Sequence, residues 1–353
     1  MRYKFIDALR GFTMFLVVFW HVLALSLGLG DSILGDILGR FRMPLFFFIS
    51  GFIGYKALDK FSTPNFSKML RHKAFVQLVP TFIIFSFFQL SVGGNPINFF
   101  HHGLKGFWFT LVLFEMYAFY YISSYLFNKM RLSKLQDWML VLVIPVFWLI
   151  SIGIGYMAKK GGVPNIFTVL CISNLCMYLP FFAFGLILRK YESALLPIIT
   201  NKKIFTAAFI VFAIGFLLKE KFLTKDHYQI LYHILDSLIL RFSGLIFVFG
   251  VFYHCSDKIN ESGVISKTLQ YIGKRTLDIY LLHYFLIPDL SQYGNFFVSN
   301  GKEFFVGEIF IAGFGIALPI IAVCLLISYV LRMSPILEKY LFGIVPRKVK
   351  IEE

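Results

Sequence analysis

Arg10 and His21 lie eleven residues apart in an apolar stretch, and these two residue types can do chemistry together. An imidazole takes up and returns a proton near neutral pH, and a guanidinium binds phosphate or carboxylate. On a helix, eleven steps are roughly 16 Å and about three turns, so both side chains project from nearly the same side. Asp7, three residues before Arg10, is near enough to pair with it. Arg40 and Arg42 open a second apolar run, and Glu115 stands about eight residues into the fourth. His21 and Glu115 come out at similar depth, roughly 12 Å below one surface. Ionisable groups at such depth are costly and should face a bundle interior or water. A polar cavity at that level accounts for His, Arg and Glu from three separate regions. The plainer alternatives are a buried histidine satisfied by one hydrogen bond and arginines that snorkel to the surface.

Other candidates carry less. His233 and Asp236 are spaced to share a proton but fall near a helix end, where a structural role is favoured. His283 follows Tyr280 and precedes Pro288, which fits a packing or kink role as well as a substrate contact. His101 and His102 sit beside Lys105 in a polar connection and read as surface residues. No His, Cys or acidic spacing resembles a metal site, and Gly-rich phosphate loops and G-x-S-x-G elbows are absent.

The elements that must position these residues are membrane helices. Of 353 residues, 58% are hydrophobic and only 15% charged, which excludes an ordinary soluble enzyme. Apolar runs fall near 9–28, 43–56, 74–92, 107–127, 138–157, 166–188, 204–218, 230–253, 276–292 and 304–331. The second and seventh are short for a crossing and need tilt or polar helix ends. Lipid leaves open backbone groups unsatisfied, so all ten are read as helices. The expected fold is an all-α polytopic membrane bundle of about ten transmembrane helices. With the N-terminus inside, 24 Lys and Arg fall in inner segments and 7 in outer loops. That bias puts both termini in the cytoplasm. The net charge of +15 is spread along span flanks, so no nucleic-acid partner is expected. The four cysteines read as packing residues, and the first apolar run as a retained helix.

Four segments together resemble the acyltransferase-3 family of membrane O-acyltransferases. They are IDALRGFTMFLVVFWH (6–21), with Arg, ten residues, then His; RFRMPLFFFISGF (40–52); GFWFTLVLFEMY (106–117); and LQYIGKRTLDIYLLH (269–283). The first two are fairly specific and the last two weaker alone. The order and extent fit a single-domain member without an SGNH domain: residues 1–335 as the transmembrane acyltransferase domain and 336–353 as a basic cytoplasmic tail.

The resemblance implies transfer of an acyl group, usually acetyl, from cytoplasmic acyl-CoA to a sugar hydroxyl on a surface polysaccharide or lipid-linked glycan. It implies a multi-pass protein of a bacterial cytoplasmic membrane, with acetyl-CoA as co-substrate and no permanently bound cofactor. His21 would be the general base, or alternatively an acyl carrier, and Glu115 would orient it, bind the acceptor or neutralise an arginine. Arg40 or Arg42 would stabilise the oxyanion, or the carboxylate of a succinyl group. Arg10 would hold pantetheine or phosphates, with Arg71 and Lys73 as looser phosphate candidates. Trp108, Tyr117 and His283 are further substrate-contact candidates. A transporter or flippase lined by the same charges is the rival reading.

Overall fold

A computed structural model describes residues 3–222, 232–260, 263–299, 302–303 and 305–344. The described chain is a series of helices joined by short turns and irregular connections, with one two-residue antiparallel pair, Val298–Ser299 with Lys302–Glu303. Helices α1 (Lys4–His21), α2 (Ile33–Gly54), α3 (Thr63–Ser91), α4 (Trp108–Lys129), α5 (Ser133–Lys160) and α6 (Ile172–Lys190) follow in order. Then come α7 (Lys202–Phe222), α8 (Leu240–His254), α9 (Val264–Lys274), α10 (Thr276–Leu282), α11 (Leu318–Leu331) and α12 (Pro335–Phe342).

Among the described residues, seven helical stretches are long and apolar enough to cross a membrane. An eighth crossing results if Glu192–Ile199 and Lys202–Lys219, bent by 58°, form one span. The fourth predicted run is α4, whose 22 residues make a rod of roughly 33 Å. The second, expected to be short, is a full 22-residue helix because it begins at Ile33, where the Ser32 hydroxyl caps the Gly35 N–H. Arg40 and Arg42 therefore lie two turns inside α2. The ninth run, 276–292, is not one long helix. It is the seven-residue α10, a 3₁₀ turn at His283–Phe285 and then irregular chain. The boundary expected at 335/336 falls at the start of α12, which packs on α3 with Phe342 buried. Residues 230–231, 304 and 345–353 of the expected elements lie outside the described residues.

Two crossings without side chains hold the bundle core. A Cβ on Gly11 would stand 1.9 Å from the Leu269 carbonyl oxygen, and one on Gly273 1.8 Å from that of Asp7, so α1 and α9 touch backbone to backbone. Gly51 and Gly185 do the same for α2 and α6, at 2.1 Å in each direction. Small residues permit such approach where lipid offers no hydrophobic drive for association. The first contact fixes α1 one residue beyond Arg10; the second fixes α2 beside Ser50. α5, with Trp138, Leu142 and Leu149 exposed, presents an apolar outer face suited to lipid.

Candidate active site

Along α1, Arg10, Met14, Val17 and His21 recur at helical spacing and line one cavity of about 410 Å³. Arg10 and Ile53 also line a neighbouring cavity of about 280 Å³, with Tyr3, Asp7 and Arg189. A passage therefore starts at the Arg10 end and reaches His21. Lys73 stands at the Arg10 end, its ammonium 3.6 Å from the centre of the Tyr117 ring. Tyr117 is fixed by donating to the Ser50 carbonyl at 2.8 Å. Lys56, in the turn after α2, has no acidic partner among the described residues; burial and neighbouring Lys73 push its ammonium below its ordinary range. Among the described residues the main cavity is lined by three cations (Arg10, Lys73, Arg42) and no carboxylate.

His21 is the last residue of α1, where the helix widens into a π-turn at Val22–Ser26. Both ring nitrogens are engaged. Nδ1 lies 3.1 Å from His283 Nε2, and Nε2 lies 2.9 Å from the Tyr284 hydroxyl. The proton positions follow from chemistry. His283 Nδ1 is 3.0 Å from the Ile279 carbonyl, which only accepts, so Nδ1 carries hydrogen. With the rings neutral, His283 Nε2 is then an acceptor, and His21 Nδ1–H donates to it. His21 Nε2 is left as a lone pair at the cavity. Tyr284 can donate either to that nitrogen or to the Gly106 carbonyl, 3.1 Å away. Tyr280 donates to the same carbonyl at 3.2 Å.

The break after α10 brings His283 and Tyr284, consecutive in sequence, to the two nitrogens of one ring. Thr276 at the start of α10 accepts from Arg10 Nη2 at 2.9 Å, so α1 and this segment are joined at both ends of the cavity. On the far wall Arg42 lies 3.8 Å over the Trp20 ring. It has no carboxylate or hydrogen-bond acceptor among the described residues, and its Nε is buried.

Of the residues singled out in the sequence, Arg10, His21, Arg42, Lys73, Trp108 and Tyr117 share this cavity. His283 is fully buried behind His21. Arg40 faces elsewhere, bonded to Asp36 and to Asp236 at 2.9 Å. Glu115 lies off the cavity wall, one carboxyl oxygen buried without a partner, and Arg71 is exposed. Tyr284, Trp20 and Gln77 were not read as site residues. Their signals were slight: Tyr284 follows a membrane histidine, Trp20 precedes one, and Gln77 is an amide within an apolar helix. Among the described residues no group of three or more His, Cys, Asp or Glu is placed to hold a metal.

The chain is 23% identical to glucans biosynthesis protein C of Escherichia coli K12 over 359 residues, covering 90% of each chain. The same protein of Escherichia coli O9:H4 matches at the same identity and coverage. No solved structure matches. A family profile described as an acyltransferase domain matches residues 3–333, which takes in the whole cavity from Arg10 to Tyr284. By that match, end to end through its membrane helices, the chain belongs to the acyltransferase-3 family.

Proposed function

We propose that this protein transfers an acyl group, in the first instance acetyl, from acyl-CoA to a sugar hydroxyl of an envelope glycan, with His21 as general base. The observation that carries the reading is the continuous passage from Arg10 to His21 along one face of α1. Its length of roughly 16 Å suits an extended pantetheine arm. Its cations suit the phosphates that would remain at the mouth. Gln77 Oε1, buried on the wall without a partner, is an acceptor for an amide N–H of that arm.

The acceptor hydroxyl takes the place of Tyr284 at His21 Nε2, while Tyr284 keeps its bond to Gly106. As the acceptor oxygen bonds to the thioester carbon, its proton passes to Nε2. The oxyanion develops in the field of Arg42, away from bulk water. The C–S bond then breaks and the imidazolium returns the proton to the departing thiolate. The relatives' name supports a glucan-like acceptor.

The test is transfer of radiolabelled acetyl from acetyl-CoA to glycan acceptors by the purified protein in proteoliposomes. His21→Ala is expected to lose at least about 10²–10⁴-fold of the rate with the fold intact. Retained turnover in a folded His21→Ala protein would remove His21 as the base, and label crossing the membrane without ester formation would favour a transporter.

A further inference from the structure

At the His21 end the chain treats its cations in two ways. Arg40 is bonded to Asp36 and to Asp236, and Lys219 reaches the same two carboxylates. Arg42, half a turn along α2, receives none. Arg241 on α8 is treated like Arg42: each is only 9% exposed. Nε and Nη1 of Arg241 are buried with no acceptor, and its guanidinium carbon lies 5.6 Å from the centre of the Tyr178 ring. A Cβ on Gly244 of α8 would stand 3.1 Å from the Phe41 Cβ of α2, so Arg241, one turn before Gly244, and Arg42, next to Phe41, come from helices in contact. Tyr178 in turn stacks on Trp108, at 5.7 Å and 14°, and Trp108 lines the main cavity.

Aromatic faces attract a guanidinium, but they leave its in-plane N–H groups unsatisfied. Two like charges buried together without a carboxylate are a standing cost to the fold. The same helix shows that carboxylates are supplied where neutralisation is needed. Neither Arg42 nor Arg241 receives one among the described residues.

We propose that Arg42 and Arg241 form an anion subsite at the His21 end of the cavity, which takes a carboxylate or phosphate carried by a substrate. The proposal rests on the acyl-transfer reading above and adds a charge requirement to it. Two sources have this chemistry: the distal carboxylate of a dicarboxylic acyl group on the donor, and a phosphate on a sugar or lipid-linked acceptor. Either would meet forked N–H donors in a site already cleared of competing acids.

The experiment measures binding by the purified full-length chain in detergent micelles to two matched pairs, acetyl-CoA against succinyl-CoA and glucose against glucose 1-phosphate. The expected result is that the anionic member of one pair binds at least about tenfold more tightly, and the pair identifies the source. Arg241→Gln is expected to erase that preference and leave the neutral member unchanged. Equal binding within both pairs by the unaltered protein overturns the subsite, as does a preference that survives Arg241→Gln. If the glutamine variant does not fold, Arg241→Lys replaces it: a severalfold smaller preference supports the site and an unchanged one overturns it. Absence of any acyl-CoA binding would instead defeat the acyl-transfer reading, and the sugar-phosphate pair would still decide the subsite.

Discussion

His21 is held on one side by a partner that only accepts and on the other by one that does both. The consequence is a defined tautomer without any carboxylate behind the base. The Ile279 carbonyl fixes His283, and His283 fixes His21. His283→Ala would take from His21 the side-chain acceptor that aims its Nδ1–H, leave the Val17 carbonyl as the acceptor that remains, and free the ring to turn, at a cost of about 1–3 kcal/mol. The expected outcome is a kcat lower by about 5- to 150-fold with the donor KM little changed, checked by steady-state kinetics. Tyr284→Phe keeps the ring and loses only the hydroxyl, which the acceptor is proposed to displace. Its kcat should fall less than that of His283→Ala. The reverse order would mean that Tyr284, not His283, is the principal support of the base.

The element that presents these two residues is too short to stand alone. A seven-residue helix has few internal hydrogen bonds and gains its stability from packing. α10 is instead anchored by Asp278, which is 2% exposed. Arg332, the residue that follows α11, donates to its carboxylate from Nε at 3.0 Å and from Nη2 at 2.8 Å, and reaches Glu338 of α12 at 2.9 Å. Asp278→Asn would leave Arg332 with Glu338 as its carboxylate and take away the more deeply buried one; losing one member of a buried pair costs up to about 3–5 kcal/mol. The variant should melt at a lower temperature in detergent and lose kcat beyond what Tyr284→Phe loses. A normal melting temperature would show that the pair is dispensable. This dependence also explains what could be read in advance. The α1 stripe was legible because helical period and spacing are local. The break in the ninth run was not, because Asp278 meets Arg332 from 54 residues away. Of the two carboxylates that set Arg40 apart from Arg42, Asp36 lies one turn away in the same helix, but Asp236 is 196 residues from Arg40. The His21–His283 contact spans 262 residues, so each histidine alone had a plausible packing role.

At the scale of the whole molecule, the charge distribution along the chain and the shape of the cavity bear on the same question. The sequence expectation that Lys- and Arg-rich segments face inward would put the Arg10 end of the bundle on the cytoplasmic side. The cavity mouth at Arg10 and Lys73, with Lys56 and Arg189 nearby, lies on that side. A donor bearing several phosphates would meet the cations there and send only its uncharged arm inward. Driving the phosphates themselves through the passage would strip them of water among apolar walls, a cost the three lining cations offset only locally. The donor should therefore be usable from one face alone. In proteoliposomes with protein of known orientation, acetyl-CoA supplied only on the face that bears the N-terminus should sustain transfer, and acetyl-CoA supplied only on the opposite face should not. Because Arg10 and Lys73 stand at the mouth, Arg10→Gln combined with Lys73→Gln should raise the donor KM while leaving kcat at saturation nearly unchanged. Equal transfer from both faces would mean that the passage is open at both ends to a molecule the size of CoA, and the threading of its arm past Arg10 would have to be given up.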